Sequence, residues 1–338
     1  MERGNELSEL RWNPLLEQWV VTATHRQERT FFPPDDYCPL CPTKEGGFPT
    51  EVPLPDYELV TFDNKFPSFH RNPPEPAVEG TDLYKVRPAA GVCEVVLYSP
   101  DHNSSLAEKT EEEIERLVYV WTDRYIELGN LDYVDYVFIF ENKGKEIGVT
   151  LNHPHGQIYA YPFIPPIVDR ELSASRSHME KHGSCLLCDI IKEEVRDTMR
   201  IVAKNNHFIA FIPFYARYPY EVHILHNEHK LSLAEFDADE KHSLASILKV
   251  VMSKYDNLWG ISFPYMMVMH QAPVDGKPHD YYHFHIEFYP PLRTQTKLKY
   301  LAGSESGAGV FINDTLAEEK AEELRTTAPV TTIEEMLG

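Results

Sequence analysis

Apolar residues recur at i, i+3 and i+4 spacing over residues 111–128 and again over 239–258, which predicts two long amphipathic helices. Each run is followed by a glycine, Gly129 and Gly260, a common helix stop. Shorter apolar runs at 94–97, 136–140, 221–225 and 265–269 predict strands. These pieces occur twice in one order. Residues 94–102, ending at His102, run parallel to 221–229, ending at His229, and Leu-Ala-Glu follows at 106–108 and 233–235. Each copy then has its helix, a strand and a His-x-His row: His153-Pro154-His155-Gly156-Gln157 in the first, His283-Phe284-His285-Ile286-Glu287 in the second. Matching Tyr136 with Tyr265 places His270 where the first copy has Glu141. A Cys-x-x-Cys pair opens each copy. We read a tandem duplication with its boundary near residues 170–182, dividing the chain into 1–175 and 176–338. The expected fold class is α+β, each unit an antiparallel sheet with one long helix. Proline-rich stretches at 32–34, 71–76 and 164–166 predict loops or crossovers, and the acidic stretch 314–324 predicts a surface helix.

Length and charge narrow the picture. With 338 residues, 42% hydrophobic and 25% charged, the chain can bury a core without disulfides. A net charge of −21 argues against nucleic acid as the main partner, since phosphate neutralisation needs clustered Lys and Arg. It leaves room for a small phosphorylated substrate. The N-terminal residues lack the apolar run of a signal peptide and no stretch is long enough to span a membrane, so a cytoplasmic location is expected.

Four of the five cysteines form the two pairs Cys38/Cys41 and Cys185/Cys188; Cys93 stands alone in a strand-like run and reads as a buried apolar filler. Either pair alone fits a redox motif as well as a metal site. The duplication favours metal, because each half keeps two thiols and two histidines: Cys38, Cys41, His102, His153, and Cys185, Cys188, His229, His283. Two thiolates and two imidazoles suit structural zinc. His223 and His226 compete with His229. Glu171, His270, His285 and Glu287 make a third constellation, suited to zinc or iron or to a plain hydrogen-bonded cluster.

Alternation along an extended segment points His153, His155 and Gln157 to one face. A generic His-x-His fits a metal pair or a strand face. With His153 taken as a ligand, His155 remains a nucleophile that attacks phosphorus through one ring nitrogen while the other is held. Gly156 would let backbone approach a phosphate, and Gln157 would donate to a non-bridging oxygen.

The row, preceded by Phe140-Glu141-Asn142-Lys143-Gly144, resembles the active-site signature of the galactose-1-phosphate uridylyltransferase family, a branch of the histidine-triad superfamily. The resemblance extends through Phe62-Asp63-Asn64, Ser99-Pro100-Asp101-His102, Arg170-Glu171 and residues 255–258, 262–265 and 288–293. It implies ping-pong transfer of UMP from UDP-glucose to galactose 1-phosphate through uridylyl-His155. It implies that Gln157 holds the phosphoryl group, that Asn64, Asn142 and Gly148 line the uridylyl site, and that Arg26 or Arg29 lies near phosphate, where Gly156 and the Thr150 hydroxyl of the phosphate loop would also serve. Lys299 and Glu305 would face the sugar from the partner subunit of a homodimer. Cys38, Cys41, His102 and His153 match the family's zinc site, and Glu171, His270 and His285 its iron-type site.

The sequence departs from the family at Glu287 (a histidine there), at Val149 and Thr150 (cysteine and serine), at Lys65 (aspartate) and at Ser304 (tyrosine). The Cys185/Cys188 set resembles two-zinc relatives, one of which transfers adenylyl groups from ADP-glucose. An ADP-glucose phosphorylase is therefore the close alternative, and a zinc-stabilised nucleotide-binding protein without turnover the distant one.

Overall fold

The computed structural model describes residues 7–28 and 37–329. Its strands are β1 (Ser8–Asn13), β2 (Gln18–Ala23), β3 (Val60–Asp63), β4 (Val86–Pro88), β5 (Val92–Leu97), β6 (Tyr136–Lys143), β7 (His155–Tyr161), β8 (Ile201–Lys204), β9 (Phe208–Phe211), β10 (Val222–His226), β11 (Tyr265–His270), β12 (His285–Tyr289), β13 (Leu292–Thr294) and β14 (Lys297–Leu298). Its α-helices are α1 (Glu111–Gly129), α2 (Pro166–His182), α3 (Leu186–Asp197), α4 (Ala238–Trp259) and α5 (Ala317–Thr326).

The two predicted long helices form as α1 and α4. Each starts with a capping box, Thr110 with Glu113 and Asp237 with Glu240, which satisfies backbone donors that the first turn leaves unpaired. On α1, Ile114, Leu117, Val118, Trp121, Tyr125 and Leu128 form one buried stripe. Burying each such side chain is worth ~1.5–3 kcal/mol. The glycines at their ends differ: Gly260 adopts the left-handed conformation at φ 64° and stops α4, whereas Gly129 is the last residue of α1 and Asn130 caps it.

Nine strands form one antiparallel sheet in the order β3-β5-β7-β6-β11-β12-β10-β9-β8. The order reads nearly the same from either end. The first half supplies β3-β5-β7-β6, the second its mirror image, and β6 and β11 join them at the seam. Phe140 pairs with Val268 on the approximate twofold axis. Register corrects the match made by sequence similarity. His285 pairs with Leu225 on one side and His270 on the other; His155 pairs with Leu97, and the β6–β7 register carries Asn142 opposite it. The counterpart of His270 is therefore Asn142, not Glu141. Tyr136 and Tyr265 likewise point to opposite faces, because a one-residue slip in a strand inverts every side chain.

One face of the sheet is closed by α1 and α4 over a shared core that includes Val96, Tyr98, Ile139, Ile158, Ile224, Met267 and Ile286. The opposite face carries both His-x-His rows. In the second half it is covered by α2, whose Val168 and Leu172 pack on Tyr136 and Tyr282, and by α3 over β8 and β9. In the first half the small sheet β2-β1-β4 covers its far end, with Leu10, Trp19 and Val21 against Cys93, Tyr159 and Tyr161, and loops cover the end near His155, with Leu40 and Val52 on Val95 and Leu97. The segment expected as a boundary is thus helical. Pro165–Pro166 opens α2 and Gly183 ends it in the left-handed conformation, and Cys185 then caps α3 by accepting from Cys188 N. The acidic C-terminal stretch forms α5, which buries Ala317, Ala321 and Leu324.

Candidate active site and metal centres

His155 opens β7, and its Nδ1 donates to the His153 carbonyl at 2.7 Å. This fixes the tautomer and leaves Nε2 with its lone pair and, among the described residues, no hydrogen-bond partner. Burial pushes the imidazole pKa below its ordinary value, so the ring is neutral. His155 and Asn142 line a cavity of about 500 Å³ together with His102, Val149, Asn152 and His153. Gln157, the next residue on that face, accepts at Oε1 from Asn64 Nδ2 at 3.3 Å and from Tyr159 Oη at 3.3 Å.

Gly156 faces the other way. A Cβ there would sit 2.0 Å from Tyr98 Oη, so the glycine makes room for Tyr98 in the core and not, through its missing side chain, for a phosphate. Behind it Glu141 is buried beside Tyr98, its Oε1 accepting from Tyr265 Oη at 3.2 Å. Burial, with the negative charge of Asp256 nearby, raises the Glu141 carboxyl to about 7, against Lys143, Tyr265 and Tyr98, which pull it down.

Both Cys/His sets converge. A tetrahedral zinc bound by sulfur and nitrogen sets S···N edges of about 3.5 Å. The first set shows Cys41 Sγ 3.6 Å from both His102 Nδ1 and His153 Nδ1, with Cys38 Sγ 4.0 Å from His153 Nδ1. In the second, Cys185 and Cys188 Sγ lie 3.5 and 3.4 Å from His283 Nδ1, and Cys188 Sγ is 3.8 Å from His229 Nδ1. Both sets can therefore hold a tetrahedral metal. The second nitrogen of each buried histidine is tied to backbone, His153 Nε2 to Ser99 O at 2.8 Å and His283 Nε2 to His226 O at 2.9 Å. Tyr57 Oη also donates to Ser99 O, at 2.7 Å, and lies 2.9 Å from His153 Nε2. Burial and the neighbouring Cys38 push the Cys41 thiol up, so a cation is what would hold the pair as thiolates.

Glu171, His270, His285 and Glu287 also meet, with ligand atoms mutually within 4.8 Å. Glu171 Oε2 is 2.8 Å from His270 Nδ1 and accepts from Tyr282 Oη at 2.7 Å. Against the cost of burial, His270 and His285 hold the Glu171 carboxyl down to about 2. Sequence reasoning missed the outer ring: Arg217 Nη2 lies 3.2 Å from Glu287, and His223 Nε2 is 3.2 Å from Glu287 and 3.0 Å from Glu221. That engagement removes His223 as a rival to His229. His226 pairs with Glu240 at 3.2 Å, where Lys230 sits 2.8 Å from the same oxygen. A lysine already neutralises that carboxylate, so His207, His226 and Glu240 do not make a metal site.

The remaining expected residues divide. Asn64 and Asn142 reach the row. Arg26 donates to Phe66 O at 2.5 Å and borders Tyr159. Gly148 turns the loop at φ 84° ahead of Thr150. Lys299 and Glu305 pair with each other at 3.5 Å and do not line the cavity. Arg29 lies outside the described residues. No helix among the described residues is long and apolar enough to cross a membrane.

The galactose-1-phosphate uridyl transferase N-terminal domain model matches residues 2–165, and the C-terminal domain model of the same family matches 171–336. The chain belongs to this family. A galactose-1-phosphate uridylyltransferase of Thermotoga maritima is 43% identical over 95% of this chain and 99% of its own length. A solved uridylyltransferase superposes with a TM-score of 0.84 at 37% identity, covering 94% of this chain and 97% of that one. An ADP-glucose phosphorylase from Arabidopsis thaliana, solved with ADP-glucose, reaches 0.72 at 24% identity, covering 95% and 99%. That likeness is one of fold. Within the family, the spacing of the His153–Gln157 row points directly to the candidate site. Tyr57 and Arg217 carried no comparable signal, because each meets its partner, His153 or Glu287, only through the fold.

Proposed function

We propose that the protein is a galactose-1-phosphate uridylyltransferase that moves UMP from UDP-glucose to galactose 1-phosphate through a covalent uridylyl-His155. The observation that carries this is a neutral imidazole with one nitrogen pinned to a carbonyl 2.7 Å away and the other left for attack. The His155 Nε2 lone pair forms an N–P bond to the α-phosphorus as the bridging P–O bond breaks, and glucose 1-phosphate leaves with that electron pair. The His153 carbonyl, accepting from Nδ1–H, stabilises the cationic ring as it forms. Gln157 and Asn142 donate to the non-bridging oxygens. A phosphate oxygen of galactose 1-phosphate then attacks, the N–P bond breaks and UDP-galactose departs.

Asn64, Arg26, Gly148 and Thr150 belong to the nucleotide side of this site. Lys299 and Glu305, paired with each other away from the cavity, are delivered to the sugar by the partner subunit of a homodimer. Zinc fits the two Cys/His sets, where it would clamp each row's first histidine to a segment distant in sequence, a loop in the first half and the start of α3 in the second; zinc or iron fits the Glu171/His270/His285 set. The protein works in the cytoplasm, as two halves meeting near residues 170–182. The test uses UDP-glucose and ADP-glucose labelled in the α-phosphate. Acid-labile, base-stable label on the chain from UDP-glucose is expected. Label from ADP-glucose alone would move the function to an ADP-glucose phosphorylase, and label from neither donor would sink the covalent mechanism.

A further inference from the structure

Gln157 lies two residues beyond His155 on the same face of β7; its amide can present either end to a group held before that face, and only the nitrogen end donates to a phosphoryl oxygen. Two groups decide which end. Asn64 is itself oriented, because its Oδ1 accepts from Phe66 N at 2.9 Å, so its Nδ2 is the donor that reaches Gln157 Oε1 at 3.3 Å. Tyr159 Oη donates to the same oxygen at 3.3 Å. Tyr159 follows Gln157 by two residues on β7 and so shares its face. Its ring cannot swing freely: Phe140, the cross-strand neighbour of Gln157, packs edge-on at 5.1 Å, with Tyr161 at 6.0 Å and Phe69 at 6.4 Å. Burial raises the phenol pKa, so the hydroxyl keeps the proton it donates.

We propose that Tyr159 is a positioning residue for the transfer: with Asn64 it locks the Gln157 amide so that the nitrogen, not the oxygen, meets the phosphoryl group. This rests on the transfer through His155 described above. Tyr159→Phe deletes one hydroxyl and keeps the ring. In single-turnover labelling from UDP-glucose the rate of label capture falls about fivefold, the effect of one lost hydrogen bond. The KM for UDP-glucose moves by less than about twofold, because the amide contact strengthens as charge shifts in the transition state. A structural role would not depend on what stands at position 157, and this one does. In Gln157→Ala the amide is gone, and in Gln157→Glu neither oxygen donates, so Tyr159→Phe adds no further loss in either background. An unchanged rate in Tyr159→Phe, or a loss that multiplies in full with that of Gln157→Ala, overturns the assignment while transfer through His155 stands. Wild-type protein that takes no label from UDP-glucose sinks both.

Discussion

The two His-x-His rows hold their histidines alike and surround them differently. In each, the first histidine ties Nε2 to a backbone carbonyl, at 2.8 and 2.9 Å, and offers Nδ1 to a pair of thiols. In each, the second donates Nδ1 to the carbonyl of the first, at 2.7 and 2.9 Å. The backbone therefore presents Nε2 of His155 and of His285 in the same way. What opposes them differs. Asn142 beside His155 becomes His270 beside His285; Gln157 becomes Glu287; and Val95, the strand partner of Gln157, becomes His223, the strand partner of Glu287. Loops leave the first row reachable, whereas α2 lays Glu171 over the second. On the proposed function, a held imidazole serves as a nucleophile when its neighbours are neutral donors and as a ligand when they are carboxylates.

The sharpest way to break this comparison is to remove each second histidine in turn. His155→Asn should lower labelling from UDP-glucose by at least about 10³-fold, the scale of losing a covalent nucleophile. His285→Asn should leave it within about tenfold. Equal losses would mean that the rows have not divided their roles. Next come the anchors. Cys38→Ser and Cys185→Ser should each cost one equivalent of metal by elemental mass spectrometry. Only Cys38→Ser should also lower the labelling rate, by roughly 10–100-fold, because it loosens the row that carries His155. A smaller effect tests the core side. Gly156→Ala should destabilise by about 1–3 kcal/mol in urea unfolding, since the new methyl meets Tyr98, and Tyr98→Phe should relieve part of the cost. The equivalent position in the second row holds a buried isoleucine, Ile286, so the penalty belongs to Tyr98 and not to the strand.

The smallest effect is one of pH. Glu141 is held protonated to about 7, above its ordinary 4.5. The folded state thus binds more protons than the unfolded state between those values. The contribution is complete below about 4.5 and is lost as pH rises through about 7. Glu141→Gln should raise the thermal midpoint at pH 8 more than at pH 5; a shift of equal size at both would show that the carboxyl does not titrate with folding.

The duplication, the long helices and the convergence of the three Cys/His and Glu/His groups were legible in the sequence, because repeated residue types at repeated spacings survive any detail of packing. Register was not. Similarity rewarded the match of Tyr136 with Tyr265, yet pairing across the seam demands the slip that makes Asn142 the counterpart of His270. Helix α2 was hidden as well, since its buried face amounts to Val168, Leu172 and Ser175 amid polar residues. Gly156 was legible as a requirement but not as to its cause, because Tyr98 approaches from another strand.

The seam at β6 and β11 also bears on how such a molecule can be divided. A fragment that stops before β11 would leave β6, with its run Tyr136-Val137-Phe138-Ile139-Phe140, as a bare apolar edge, an invitation to aggregate. Because Phe140 lies on the twofold axis, two such fragments can satisfy each other by pairing β6 with β6, Phe140 against Phe140. The seam thus has the geometry of a two-chain assembly, with covalent linkage in place of association.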